Sequence, residues 1–248
     1  MKEKYTQSEF VELVGNVSER NGWDFSVMKA VRQPVPWDYN SVVKNRLRPT
    51  DRVLDIGTGG GEQFLQFAPL IKSGLGIDID PVMVMVANNN AIHVKNVSFQ
   101  VGSQRLDTMS GLFDVIINRH APFDIAAIKQ HLLPTGIFIT QQVGENNMAN
   151  VKKALNQETS KPVISKELLE DGGLQCVEFR EYNVEYIVKD IESLIFWLNA
   201  LDLLHADLSG KEVLESVSTL NDVLAGNVTN QGFITNEHRY LAIAKMPY

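Results

Sequence analysis

At 248 residues the chain suits one α/β domain with a decoration, or at most two small domains. An apolar fraction of 44% and a charged fraction of 21% allow an ordinary buried core, and a net charge of −7 argues against the basic stripe of most nucleic-acid binders. The single cysteine, Cys176, excludes an internal disulfide framework and a cysteine-rich metal site, and is expected to be a buried, inert thiol.

Thr6-Gln7-Ser8-Glu9 has the form of a capping box, and Phe10, Val11, Leu13, Val14 and Val17 follow at helical spacing, predicting a helix that ends near Asn21-Gly22. The charged residues before it have no apolar run behind them, so no secretory leader is expected. No stretch approaches ~18 consecutive apolar residues, so no membrane span is expected either, and the compartment is expected to be cytoplasmic. After Trp23-Asp24-Phe25, Pro34 and Pro36 keep the chain extended. Asp38 is placed to cap a helix through Val42, Val43 and Leu47, which Pro49-Thr50-Asp51 ends.

Val53 to Ile56 then run into Gly57-Thr58-Gly59-Gly60-Gly61-Glu62, and an amphipathic segment, 63–68, follows at once. This predicts a buried strand, a tight turn and a helix start, with backbone N–H groups aimed at a ligand. Glycine permits positive φ and a close approach of ligand to bare backbone. A dinucleotide fingerprint requires a third glycine where this chain has Glu62, and a carboxylate there would repel a pyrophosphate.

Strands and helices alternate from this point: strands at 74–78, 97–101, 113–117 and 137–140, helices at 82–91 and 124–133, and a turn at Pro134-Thr135-Gly136. Pro81 suits the first position of its helix. Short helices are expected at 146–155 and 165–171, a long half-exposed strand at 176–188, helices at 191–204 and 213–224, and a last strand at 239–245. The alternation predicts a doubly wound, mostly parallel, seven-stranded sheet. Residues 1–48 are expected to form an N-terminal helical extension or lid, 49–248 the main domain, and 189–230 a helical insertion before the last strand.

In such a sheet ligands bind beyond the carboxyl ends of the strands. Four strand ends therefore matter: the glycine turn, Asp78, Gly102-Ser103-Gln104, and Asn118-Arg119-His120-Ala121-Pro122-Phe123. Asp78 would accept hydrogen bonds from a ribose or cap the next helix, a role that Asp80 fits better.

The segments 55–61, Gly76-Ile77-Asp78-Ile79, Gly102-Ser103, Phe113-Asp114-Val115-Ile116 and Leu133-Pro134-Thr135-Gly136 resemble, in order and spacing, the motifs of class I S-adenosylmethionine-dependent methyltransferases. Pro36-Trp37-Asp38-Tyr39, the glycine turn, Arg119-His120 and Thr140-Gln141-Gln142-Val143-Gly144 resemble a bacterial branch of the type-11 methyltransferases. The resemblance implies a Rossmann-like methyltransferase fold with S-adenosyl-L-methionine as cofactor. It implies that Asp55 holds the methionine ammonium and that Gly57, Thr58, Gly59 and Gly61 pass beneath the ligand. Asp78 takes the ribose, Ile79 one adenine face, and Asn118 the floor under the sulfonium. Ser103 stands where the family usually offers an aspartate to adenine, and Ser103 or Gln104 would substitute with a neutral hydrogen bond.

Methyl transfer asks for alignment more than for covalent help, and a base is needed only for an acceptor of high pKa. Of the five histidines, His120 alone falls at a strand end beside the expected methyl group; it would act as base, as a substrate-orienting donor or as a structural residue. Arg119 would bind an anionic group of the acceptor, or pair with Glu145 or Asp124. Trp37 and Tyr39 would cover the cofactor or fill the core. The expected partner is a small-molecule acceptor, with no nucleic acid and no membrane. The competing readings are an RNA or protein methyltransferase, an NAD-dependent oxidoreductase, and a non-catalytic binding module.

Overall fold

The structure, a computed structural model, describes residues 1–17, 28–107, 109–157, 163–201, 203–204 and 211–247. The predicted helix end at Asn21-Gly22, the Trp23-Asp24-Phe25 segment and His205 lie outside the described residues. The chain divides into two compact units, the first made of Met1–Pro34, Glu145–Lys161 and Asn183–His238, the second of Val35–Gly144, Pro162–Tyr182 and Arg239–Tyr248.

In the first unit the capping box forms as its sequence requires. The Glu9 N–H donates to Thr6 Oγ1 at 3.4 Å, and the Thr6 N–H donates to Glu9 Oε2 at 3.0 Å. They start α1, Gln7–Val17, which buries Phe10, Val14 and Val17. The same core takes Leu194, Ile195 and Leu198 of α8, Ile191–Ala200, and Leu220, Val223 and Leu224 of α9, Lys211–Leu224. Strand β1, Ala30–Arg32, pairs antiparallel with the end of β7, Gln175–Val188, in the register Ala30↔Val188. Strand β8, Val228–Thr229, pairs antiparallel with the start of β9, Gly232–Lys245. Helix α6, Ala149–Ala154, completes this unit.

The second unit carries the parallel strands. These are β2, Arg52–Ile56; β3, Ser73–Asp78; β4, Val97–Val101; β5, Phe113–Arg119; and β6, Leu132–Val143. Pairs β2·β3, β3·β4, β2·β5 and β5·β6 are parallel, and β6 pairs antiparallel with β9 from Ile137↔Lys245 to Val143↔Arg239. Both faces are covered, so 53–56 and 115–118 are buried without a break. From β2 the chain builds outward through β3 and β4, then returns to the opposite flank of β2 with β5. The order thus switches between β2 and β5, directly above which the glycine turn lies.

Several details differ from the pattern in the sequence. Among the described residues there are nine strands: the seven expected, plus β1 and β8, which are too short to show a period. Segment 63–68 does not make one helix. It makes α3, Glu62–Leu65, and then a turn of 3-10 helix, Ala68–Leu70, because Pro69 cannot donate to a continuing ladder. Helix α2, Tyr39–Lys44, is capped by Asp38 as expected but stops before Leu47. Pro134-Thr135-Gly136 lies inside β6 as a bulge: Phe113 pairs with Leu132 and Val115 with Ile137. Helices α4, Pro81–Asn90, α5, Ile125–His131, and α7, Lys166–Asp171, sit where the sequence places them; Asp80, Asp124 and Ser165 each accept a backbone N–H at their starts. Cys176 is half-buried, with its pKa raised by burial, which suits an unreactive thiol.

Candidate functional site

The second unit gathers every predicted site residue onto itself, most of them on the ends of β2, β3 and β5. After Ile56 the chain turns through Gly57 (φ 77°), Thr58 and Gly59 (φ 56°), held by the N–H groups of Gly57 and Thr58, both donating to Ile77 O at 2.9 Å. A side chain at Gly57 would collide with the Cβ of Ala121. One at Gly59 would meet nothing within 4 Å, so this turn is closed by protein at one glycine and open at the other.

Three carboxylates surround it. Asp55 is buried, and burial raises its pKa to about 7; the Thr58 hydroxyl opposes that rise, neighbouring Asp78 adds to it, and Arg119 opposes it. The Thr58 Oγ1 is buried and close enough to influence Asp55, yet it makes no well-aligned hydrogen bond among the described residues. Asp78 is half-exposed, accepting from the Gly59 N–H at 2.8 Å and from the Asp80 N–H at 3.0 Å. The cap of α4 belongs to Asp80, which accepts from the Val82 N–H at 2.8 Å, so each Asp78 oxygen keeps a lone pair for a ligand. Glu62 is exposed, accepts from Asn90 Nδ2 at 3.1 Å, and stands against Gly60.

Around this turn the other candidates take distinct places. Ile79 is 71% exposed, far from typical for an isoleucine that serves the core. Ser103 and Gln104 are partly exposed after β4, and Ser103 Oγ accepts from the Arg105 N–H at 3.3 Å. Asn118 is fully buried; its amide donates to Ile56 O at 3.0 Å and its backbone carbonyl accepts from the Tyr39 hydroxyl at 3.1 Å. Tyr39 is itself buried, and burial, with Asp55 nearby, drives its pKa upward. Arg119 is exposed, lies 5.6 Å from the Tyr39 ring centroid and forms no ion pair among the described residues. Asp124 is instead the cap of α5. Trp37 is buried, tilted against Tyr182 at 4.6 Å, and donates its indole N–H to Gln141 Oε1 at 2.8 Å.

His120 has φ 56°, a left-handed conformation that costs a non-glycine residue roughly 1–3 kcal/mol. Solvent reaches it, yet protein crowds its ring; that crowding, with Arg239 and Arg119 behind it, holds its pKa well below 6.5. His238, in the first unit, is fully buried with Nδ1 accepting from the Asn146 N–H at 3.2 Å, which suits a structural role.

Three residues that the sequence presented only as part of a motif bond to several of these candidates. Thr140, Gln141 and Gln142 are buried polar side chains on β6. Gln142 Nε2 donates to Asn118 Oδ1 at 2.6 Å, to Thr140 Oγ1 at 2.8 Å and to Ala121 O at 3.2 Å, tying the end of β5 to the loop that follows it. Their signal was the interruption of an apolar strand by three polar residues, costly in a core unless each finds a partner.

Residues 47–173 match the model of a family described as a methyltransferase domain. An uncharacterized methyltransferase of Bacillus subtilis is 36% identical over 86 residues, 34% of each chain. The trans-aconitate 2-methyltransferase of Deinococcus radiodurans is 28% identical over 110 residues, 42% of each. The chain therefore spans between a third and a half of the length of these curated relatives. A functionally unknown protein from Deinococcus radiodurans shares the fold with a TM-score of 0.62, at 18% identity over 89% of this chain and 92% of that one. A methyltransferase from Thiobacillus denitrificans, solved in complex with S-adenosyl-L-homocysteine, does so with a TM-score of 0.52, at 20% identity over 87% and 94%. With strands β2 to β6, the glycine turn and the strand-end acids inside the matched region, and Trp37 and Tyr39 outside it, the chain belongs to this family of methyltransferase domains.

Proposed function

We propose that this protein is an S-adenosyl-L-methionine-dependent methyltransferase acting on a small-molecule acceptor. The observation that carries the reading is the ring of Asp55, Asp78 and Glu62 around a glycine turn whose open side is at Gly59. Acids in this position repel a pyrophosphate and suit a ligand bearing a sulfonium and an ammonium, which disfavours the NAD-dependent oxidoreductase.

Bound, the cofactor supplies an electrophilic methyl group. Asp55 would hold its ammonium, Gly57, Thr58, Gly59 and Gly61 would lie beneath it, and Asp78 would take the ribose. Ile79 would cover one adenine face, with Ser103 or Gln104 at the amino group. Tyr39 and Asn118 form the floor, and Trp37 braces it through Gln141. Arg119 and His120 face the acceptor and orient it for in-line attack, where alignment supplies about 7–11 kcal/mol of barrier lowering.

Calorimetric titration with S-adenosylhomocysteine and with NAD tests the cofactor. Tighter binding of the homocysteine ligand is expected, and a preference for NAD would overturn the reading. A screen of metabolite extracts for incorporation of isotopically labelled methyl then identifies the acceptor; labelling confined to RNA or protein fractions would replace the small molecule. The Bacillus and Deinococcus relatives support methyl transfer, and the latter is a trans-aconitate 2-methyltransferase.

A further inference from the structure

Gln141 is held at both ends of its amide. An indole N–H only donates, so the 2.8 Å contact from Trp37 identifies the Gln141 oxygen and turns the amide nitrogen to the other side. That nitrogen lies 3.0 Å from His120 Nε2. An amide nitrogen donates and cannot accept, so Nε2 must be the acceptor and the imidazole proton must sit on Nδ1. A second tie fixes the pair, for the His120 N–H donates to the Gln141 carbonyl at 2.9 Å. The charged groups that act on the ring are Arg119 on β5 and Arg239 on β9, both cations, and they oppose a second ring proton.

We propose that Gln141 is a positioning residue that fixes His120 as the neutral tautomer protonated on Nδ1, so that His120 meets the acceptor as a hydrogen-bond donor and not as a general base. The lone pair a base would use is already committed to Gln141. The left-handed backbone at His120, a conformation that must be upheld by its surroundings, is held in place by the same glutamine. For the acceptor, this deepens the reading above and rests on it. The attacking atom should need no proton removed, as with an ionised oxygen or sulfur, and Arg119 beside it supplies a complementary charge.

The tautomer can be read without cofactor or acceptor, so its failure is distinct from a failure to bind S-adenosylhomocysteine. Long-range proton–nitrogen correlation spectra of the full chain, isotopically labelled in histidine nitrogen, report which ring nitrogen carries the proton. The His120→Asn variant identifies the signal. The native protein should show the Nδ1–H form, unchanged between about pH 5 and 8. The Gln141→Glu variant keeps an oxygen for Trp37 and turns a second one toward His120, so the proton should move to Nε2 and the ring should titrate at higher pH. A native signal of the Nε2–H form, a native titration near the ordinary histidine range, or a Gln141→Glu spectrum like the native one would each overturn the proposal. Should Gln141→Glu fail to fold, the native spectrum decides alone.

Discussion

Asp55 is a carboxylate whose folded pKa is raised to about 7, which reverses the usual dependence of stability on pH for an acid. Between about pH 4 and 7 the folded state holds a proton that the unfolded state has released, so stability falls as pH rises through that window. The loss is on the order of a few kcal/mol and is complete once Asp55 is ionised above pH 7. A ligand ammonium paired with Asp55 reverses the penalty. Below pH 7 its binding should expel the proton, and affinity for S-adenosylhomocysteine should rise roughly tenfold per pH unit until it levels off near 7. Calorimetry at pH 6 in two buffers of different ionisation enthalpy measures the proton directly. Native protein should release it and Asp55→Asn should not; equal heats in both buffers for the native protein would separate Asp55 from the ammonium.

At the scale of the element, the glycine turn makes two demands that substitution can tell apart. Gly57→Ala meets both a positive φ and the Cβ of Ala121, so conformational strain of about 1–2 kcal/mol is joined by overpacking of about 1–3 kcal/mol. Gly59→Ala meets the φ cost alone, because its side chain enters open space. Urea unfolding should therefore find Gly57→Ala the less stable, while titration with S-adenosylhomocysteine should find Gly59→Ala weakened at least tenfold. The reverse ranking would mean that the open side of the turn does not face a ligand. The turn was legible in the sequence because glycines at the end of an apolar strand have few other uses, and Asp55 and Asp78 were legible as acids at strand ends. The role of Gln141 was not, since it depends on Trp37 and His120, residues 104 and 21 positions away. Strands β2 and β5 could be read from apolar runs that burial on both faces demands, and β7 from the alternation of a half-exposed strand. Strands β1 and β8, with three residues and two, carry too little pattern to read, and Pro69 split a segment whose periodicity alone indicated one helix.

Across the whole molecule, β7 and β9 each contribute residues to both compact units, and the chain enters the first unit three times. Unfolding should then be one event, because neither unit can lose a shared strand without damage to its own sheet. Trp37 belongs to the second unit and Trp197 to the first, so each reports on one. Variants that retain only one of these tryptophans, the others replaced by phenylalanine, should give coincident denaturation midpoints by fluorescence. Well-separated midpoints would show that the units melt independently.

The shared strand β9 also constrains how the protein comes into being. During synthesis domains generally fold as units, the amino-terminal one first. Here Phe233, fully buried in one core, and Leu241, fully buried in the other unit, arrive on the same late strand. The nascent polypeptide must therefore carry two unfinished cores until β9 is made, and translation beyond Gly232 supplies a buried residue to each.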